Sequence, residues 1–531
     1  MKKFLPYLLI SFVIALANWP TLSAKQVADP DAEFILSLLS NTHSPLHYLQ
    51  NLLQFKTLDF QPLRDISLGL DLFLFNQYDL NTFILQNLLW WLGCVLVIQK
   101  ILRKFFPDFS AKSILLATLI FAIYPIFIPT LAWGMARKHI LCFFFTLLAT
   151  HELLTKRNVF YISLFYLLAT LSQPIGILWP VWALSYLYFY EPQDVQNSKK
   201  IFLSLGMILV TMITINTFYY RISETFLVLY PSKTSTSFIL GDKLLAFGHY
   251  TFQIFFPYFQ SLNYSLGRPF TLMGLILLVI FVAISYKYSQ SKKILLWLLF
   301  ALLPLIVITT LPQMMSDTYL LLPALGVFIV VLDLTRRFPK RAVVLIPVMI
   351  VFWTIFSFNQ SKLWTNKSAL LSSSFENDPN CVNALNAARM NFAQYQKASS
   401  PIMEFIKANE CLGNINQTVL NSHINQNFLM NAFYFEDQLT PEIRLAALQE
   451  MANTSLTAHL YIVALLIHEN KLQEAQEVLK TINAKVKGQD LGESYLIVVD
   501  KVIVPYCEKI NDPDCRELAG HFSKKARTPY L

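Results

Sequence analysis

The chain has 531 residues, 55% of them hydrophobic and only 14% charged, with a mean hydropathy of +0.47. Soluble domains carry about 25% charged residues, so this composition excludes an ordinary soluble protein and fits a membrane domain plus one soluble domain. The net charge of +9 does not mark a nucleic-acid binder, because the basic residues cluster at the ends of apolar runs, where a membrane protein needs them.

Taken in chain order, about eleven apolar runs predict membrane helices in an all-α polytopic bundle. They are Phe4–Asn18, Phe83–Gln99, Ile114–Ala132, Ile140–Leu154, Val159–Ser172, Ile175–Tyr190, Ile201–Tyr219, Phe270–Tyr286, Ile294–Leu311, Tyr319–Leu334 and Ala342–Phe358. The first has a second reading: Lys2 and Lys3, an apolar core and Leu22-Ser23-Ala24 also resemble a cleavable signal peptide. Alternate crossings gather Lys2/Lys3, Lys100/Arg103/Lys104, Lys156/Arg157, Lys199/Lys200, Lys287/Lys292/Lys293 and Arg336/Arg337/Lys340/Arg341 on one face, which is then cytoplasmic. This orientation, in a bacterial inner membrane, puts the N-terminus inside and a C-terminal domain in the periplasm.

Two long outer segments interrupt the membrane domain of residues 1–358. The first, residues 19–81, is acidic, with Asp29, Asp31, Glu33, Asp59, Asp65, Asp71 and Asp79. Its stretches Ala32–Leu39, Pro45–Phe55 and Pro62–Phe75 read as amphipathic helices lying on the outer surface, and on that reading Arg64 and Asp65 are exposed. The second, residues 220–269, contains Leu244–Phe259, apolar enough for a short interfacial or re-entrant helix.

Residues 359–531 read as helix after helix. Leu456–Glu469, an Asn470-Lys471 turn and Leu472–Thr481 form one helical hairpin, with Leu460, Ala464, Leu465, Ala475 and Leu479 at packing positions. This resembles a tetratricopeptide repeat, and stacked hairpins form concave binding surfaces. A plain α-helical domain is the equal alternative. Cys94 and Cys142 lie in spans as packing residues. Cys381, Cys411, Cys507 and Cys515 all fall in the outer domain, where Cys381–Cys411 and Cys507–Cys515 is the pairing we expect. Zinc is the rival, without CxxC or paired His spacing behind it. HExxH, the P-loop, GxGxxG and GxSxG are all missing from the sequence.

One helix, a long acidic outer loop, a bundle of short helices and an outer C-terminal domain form an arrangement that resembles the GT-C superfamily of polyprenyl-phosphate-sugar-dependent glycosyltransferases. The chain looks most like its tetratricopeptide-containing O-mannosyltransferase-like members. The resemblance rests on Phe60-Gln61-Pro62-Leu63, then Phe121–Ile126 with Trp133 and Ala136-Arg137-Lys138, then Leu171-Ser172-Gln173-Pro174, and Ser316-Asp317-Thr318-Tyr319 with Pro323. It covers about residues 1–360.

The resemblance implies transfer of a sugar from a polyprenyl-phosphate donor in the membrane lipid to an acceptor outside the cytoplasm, a protein among the candidates. It makes Asp29 and Asp31 the candidate bases for the acceptor hydroxyl. It makes Arg137, Lys138 and, more weakly, Arg221 the candidate holders of the lipid phosphate, with Asp317 and Arg64 orienting. Each has a structural alternative: Asp29, Asp31 and Asp317 as helix caps, Arg137 and Lys138 as surface anchors, Arg221 as a span-end charge. No cofactor is implied, and no carboxylate spacing demands a divalent metal. Gln61, Gln173 and Thr318 stand where the family pattern has cations, which weakens the field a phosphate would meet. The alternative of a different class is a catalytically silent membrane scaffold whose periplasmic helical domain binds a partner protein. A transporter would carry ionisable residues deep in its spans, whereas Glu152 and Asp333 lie near the cytoplasmic ends.

Overall fold

The structure is a computed structural model. It describes residues 4–23, 60–75, 80–155, 158–190, 195–222, 240–257, 269–289, 292–308, 317–336, 339–366, 456–471 and 473–478, with isolated positions in 369–373 and 445–449. The described residues are helical, with no strand among them. The chain divides into two compact units. One is Met1–Thr225 with Ser237–Asp378, and the other is Phe226–Thr236 with Pro379–Leu531.

In the first unit every predicted apolar run is built on helix. The main helices are α1 (Leu5–Ala17), α2 (Pro62–Phe75), α3 (Leu80–Phe105), α4 (Ala111–Ala122), α5 (Arg137–Thr155), α6 (Val159–Ser172) and α7 (Trp179–Tyr190). They continue with α8 (Val195–Ile222), α9 (Leu240–Phe255), α10 (Pro269–Tyr288), α11 (Trp297–Ile308), α12 (Leu321–Thr335) and α13 (Pro339–Leu363). Local chemistry sets several boundaries. Ser110 caps α4 by accepting from the Ser113 N–H, and Asn158 caps α6 by accepting from Phe160 and Tyr161. Pro125, Pro129 and Pro174 follow helix ends, because proline cannot donate to the preceding turn. The Ile114–Ala132 run is accordingly broken: α4 and the following Pro125–Ala132 segment are bent by 44°.

Among the described residues, four helices are long and apolar enough to cross a membrane: Phe83–Phe105, Ser198–Thr217, Thr271–Tyr288 and Asp317–Thr335. The bent pair makes a fifth if it is one span, and Leu5–Ala17 and Val159–Ser172 are shorter apolar helices. The surface confirms the solvent. Phe4, Leu8 and Phe12 on α1, Phe202, Leu203 and Val210 on α8, and Leu272, Ile276 and Val279 on α10 are all exposed. A water-soluble protein does not present several such faces at once, while lipid covers them without penalty.

The core is aromatic as well as aliphatic. Trp91 is fully buried on α3, stacks near Phe121, Phe127 and Phe143, and donates its indole N–H to the Ala122 carbonyl at 3.0 Å. At one end of the bundle Arg336 ties chain segments far apart in sequence. It bonds Asp108 at 2.8 Å and Asp333 at 3.3 Å, and lies over the rings of Phe106 and Phe109. Ser289 donates to Asp333 at 2.6 Å at the same end.

Leu244–Phe259, expected to be interfacial or re-entrant, belongs largely to α9. It packs closely against α10, with Tyr250, Phe252 and Ile254 buried. Gly248 and Gly274 make this crossing possible: a Cβ on Gly274 would stand on the Gly248 carbonyl, which is backbone and cannot yield. Small residues let helices approach closely where lipid supplies no hydrophobic drive.

The second unit contains α14 (Leu456–His468), with Ile462, Val463, Ala464, Leu465 and Leu466 buried. Asn470 has φ 60°, and the amides of Asn470 and Lys471 bond the carbonyls of Ile467 and Leu466. That pattern closes a helix through a left-handed residue. The chain then re-enters helix over residues 473–478 with Ala475 buried, and positions 472 and 479–481 of the expected second helix lie outside the described residues. Cys381, Cys411, Cys507 and Cys515 lie outside the described residues, whereas Cys94 and Cys142 are buried free thiols.

We predict that Gly274→Val destabilises the first unit by more than about 3 kcal/mol, because the overlap is with backbone. Thermal unfolding of the full chain in detergent measures this, with Gly206→Val as the control, since Gly206 has nothing within 4 Å.

Candidate functional site

The end of the bundle opposite Arg336 buries an unusual set of polar side chains. Helix α2 packs there against α3, α5 and α6. Its orientation is inverted relative to a helix on a water-facing surface. Arg64, Asp65 and Asp71 point into the protein, while Ile66 and Leu70 are 50% and 51% exposed. The expectation that Arg64 and Asp65 are exposed is therefore corrected. Helical spacing puts Arg64, Leu68 and Asp71 on one stripe, and that stripe is the buried one. The aliphatic residues therefore face out and the charges face in.

Arg64 is fully buried. Its Nε donates to Asp65 Oδ1 at 2.6 Å and its Nη1 to Gln61 Oε1 at 2.9 Å. Gln61, a neutral residue where the resembled pattern carries a cation, here serves as an acceptor for Arg64.

Arg137, the first residue of α5, is also fully buried. It donates from Nη1 to Asp71 Oδ2 and to the Ser67 carbonyl, from Nε to Asn87 Oδ1 at 2.9 Å, and from Nη2 to the Phe83 carbonyl at 2.9 Å. The Phe83 ring lies 5.4 Å from its guanidinium carbon. Asn87 completes the group by donating to the carbonyls of Leu131 and Trp133, both at 3.2 Å. Burial pushes the Asp71 carboxyl above the ordinary carboxylate range, and Arg137 opposes that rise.

Lys138 is half-buried. His139, buried beside it, meets the Tyr319 ring edge-on at 4.9 Å, and the buried Gln173 side chain lies close to it. Lys138 and Arg64 are both within electrostatic range of this imidazole. Asp317 and Thr318 are buried in the turn that precedes α12, and this turn packs on Pro125–Phe127 and Ile128–Ala132. Residues from four distant stretches, 61–71, 137–139, 173 and 317–319, thus meet at one end of the bundle.

Asp29 and Asp31 lie outside the described residues. Arg221 falls within α8, but its side chain lies outside the described set. Asp71, Asn87 and His139 are the site residues that sequence reasoning missed. Asp71 had a usable signal, since it shares a helical stripe with Arg64. Asn87 and His139 had none beyond being polar at the edge of apolar runs. Among the described residues no three His, Cys, Asp or Glu gather to hold a metal ion.

No protein family and no curated protein matches the chain. Among solved structures it is similar to the apo oligosaccharyltransferase of Archaeoglobus fulgidus, at 11% identity and a TM-score of 0.40. The match covers 76% of this chain and 59% of that one. At that score the two chains share too little for the fold or chemistry of one to be read from the other.

Asn87→Leu removes one acceptor from Arg137 and two hydrogen bonds from the Leu131 and Trp133 carbonyls. We predict a loss of about 2–3 kcal/mol in thermal unfolding, as when buried polar groups lose their partners, with a smaller loss for Asn87→Asp.

Proposed function

We propose that the chain is an integral-membrane glycosyltransferase that moves a sugar from a polyprenyl-phosphate donor to an acceptor outside the cytoplasm. The observation that carries this reading is the meeting of residues 61–71, 137–139, 173 and 317–319 at one end of a lipid-facing bundle. Ionisable groups are expensive at membrane depth and mark functional regions there. The opposite end carries Arg336 and the basic turns, which fit the cytoplasmic face. The polar cluster then lies at the outer face, where a lipid head group and a water-borne acceptor meet.

In the proposed reaction the acceptor hydroxyl oxygen attacks the anomeric carbon. A new glycosidic bond forms, the bond from that carbon to the lipid phosphate oxygen breaks, and the phosphate keeps the electron pair. The hydroxyl proton passes to Asp29 or Asp31 as general base. Lys138, with Arg221 as a second candidate, holds the phosphate as its negative charge grows. Arg64 and Asp317 act from within the cluster by orienting. A periplasmic setting, a protein acceptor and a partner-binding role for the helical tail belong to this proposal.

The test is sugar transfer by the purified full chain from a polyprenyl-phosphate donor pool. The double variant Asp29→Asn/Asp31→Asn is expected to lose about 10²–10⁴-fold in rate, as when a general base is removed. Failure of well-folded wild type to transfer, across several donors and acceptors, would replace the enzyme with a silent scaffold.

A further inference from the structure

We infer that Asp71, Arg137 and Asn87 are positioning residues of the outer site: they dock α2 on the bundle and fix where Arg64 and Lys138 stand relative to each other. The inference rests on the reading of that cluster as the donor site. It reassigns Arg137, which the sequence alone offers as a phosphate contact.

Arg137 spends four N–H donors on Asp71, Asn87 and the carbonyls of Ser67 and Phe83, out of the five a guanidinium has. Two of these acceptors belong to α2 and two to α3. The side chain is fully buried, and so are those of Asp71 and Asn87. A phosphate could take more than the one N–H left over only by displacing these acceptors, and displacing Asp71 would release α2.

The same fastening sets the cations. Arg64 lies on the stripe of α2 that ends at Asp71, and Lys138 directly follows Arg137. One ion pair therefore sets the register between the two elements that carry them. On the outward face of α2, among the described side chains, Ile66 and Leu70 are exposed aliphatics, which do not fix register.

The test uses the full chain in nanodiscs with Leu68→Cys, a position 1% exposed between Arg64 and Asp71. Maleimide labelling is read peptide by peptide by mass spectrometry, with buried Cys94 and Cys142 as internal reporters of an intact bundle. In the parent, the thiol introduced at position 68 should stay closed. Asp71→Asn and Arg137→Gln should each speed its labelling by about a hundredfold, since removing one partner strands a buried charge. The double variant should label no faster than either single one, because both remove the same fastening.

Protection of the introduced thiol in both single variants would overturn the inference. Transfer that rises in Asp71→Asn and vanishes in Arg137→Gln would do so too, because it would make Arg137 a phosphate contact. Should a variant also open Cys94 or Cys142, Arg137→Lys decides. It keeps the charge but cannot reach Asn87, Ser67 and Phe83 together, so position 68 must label faster while Cys94 stays closed; parent-like protection contradicts the inference. Labelling needs no donor, so absence of transfer alone would defeat the enzyme reading and leave the docking intact.

Discussion

A charge withdrawn from water and from lipid alike must find its partners inside the protein. The Asp71–Arg137 pair meets that constraint at the boundary between the first long loop and the bundle. Its desolvation is costly, and the return depends on geometry and on satisfying every remaining donor. Asn87 and two helix carbonyls take three of the four donors that remain after Asp71. The pair fastens α2 to α3 and α5, and Arg64 lies on the same buried stripe of α2.

The two ends of the bundle solve different problems. At the Arg336 end, one arginine bridges Asp108 and Asp333 while resting on two phenylalanine rings. Asp108 is largely exposed while Asp333 is fully buried, so this network runs from the interior to the surface. At the α2 end, the charged groups are almost entirely enclosed and reach across elements from residue 61 to residue 319.

The helices were legible because apolar runs of near-membrane length have few other solutions. The break at Pro174 was readable between two apolar runs, whereas the bend at Pro125 falls inside Ile114–Ala132, which the sequence presents as one run. Motif order singled out the Gln61, Arg137, Gln173 and Asp317 segments, but their meeting is visible only in the fold. The direction of α2 was not legible. Its amphipathic pattern is the same whether water or lipid lies outside, and reading it with water outside turned Arg64 and Asp65 the wrong way. Asp71 looked like one more acid in an acidic loop, since its partner lies 66 residues away. Asn87 and His139 became visible only when folding brought Leu131, Trp133, Gln173 and Tyr319 to them. The glycine crossing of α9 and α10 was equally hidden, because Gly248 and Gly274 carry no local signal of whom they face.

The measurement that bears most directly on the account is binding of polyprenyl phosphate to the full chain by native mass spectrometry in nanodiscs, comparing Lys138→Gln with Lys104→Gln. The account predicts that the lipid is retained by wild type and by Lys104→Gln, and weakened about tenfold or more by Lys138→Gln, the worth of one hydrogen bond to a charged group. Equal retention in both variants, or no retention by wild type, would contradict a lipid-phosphate site at the α2 end.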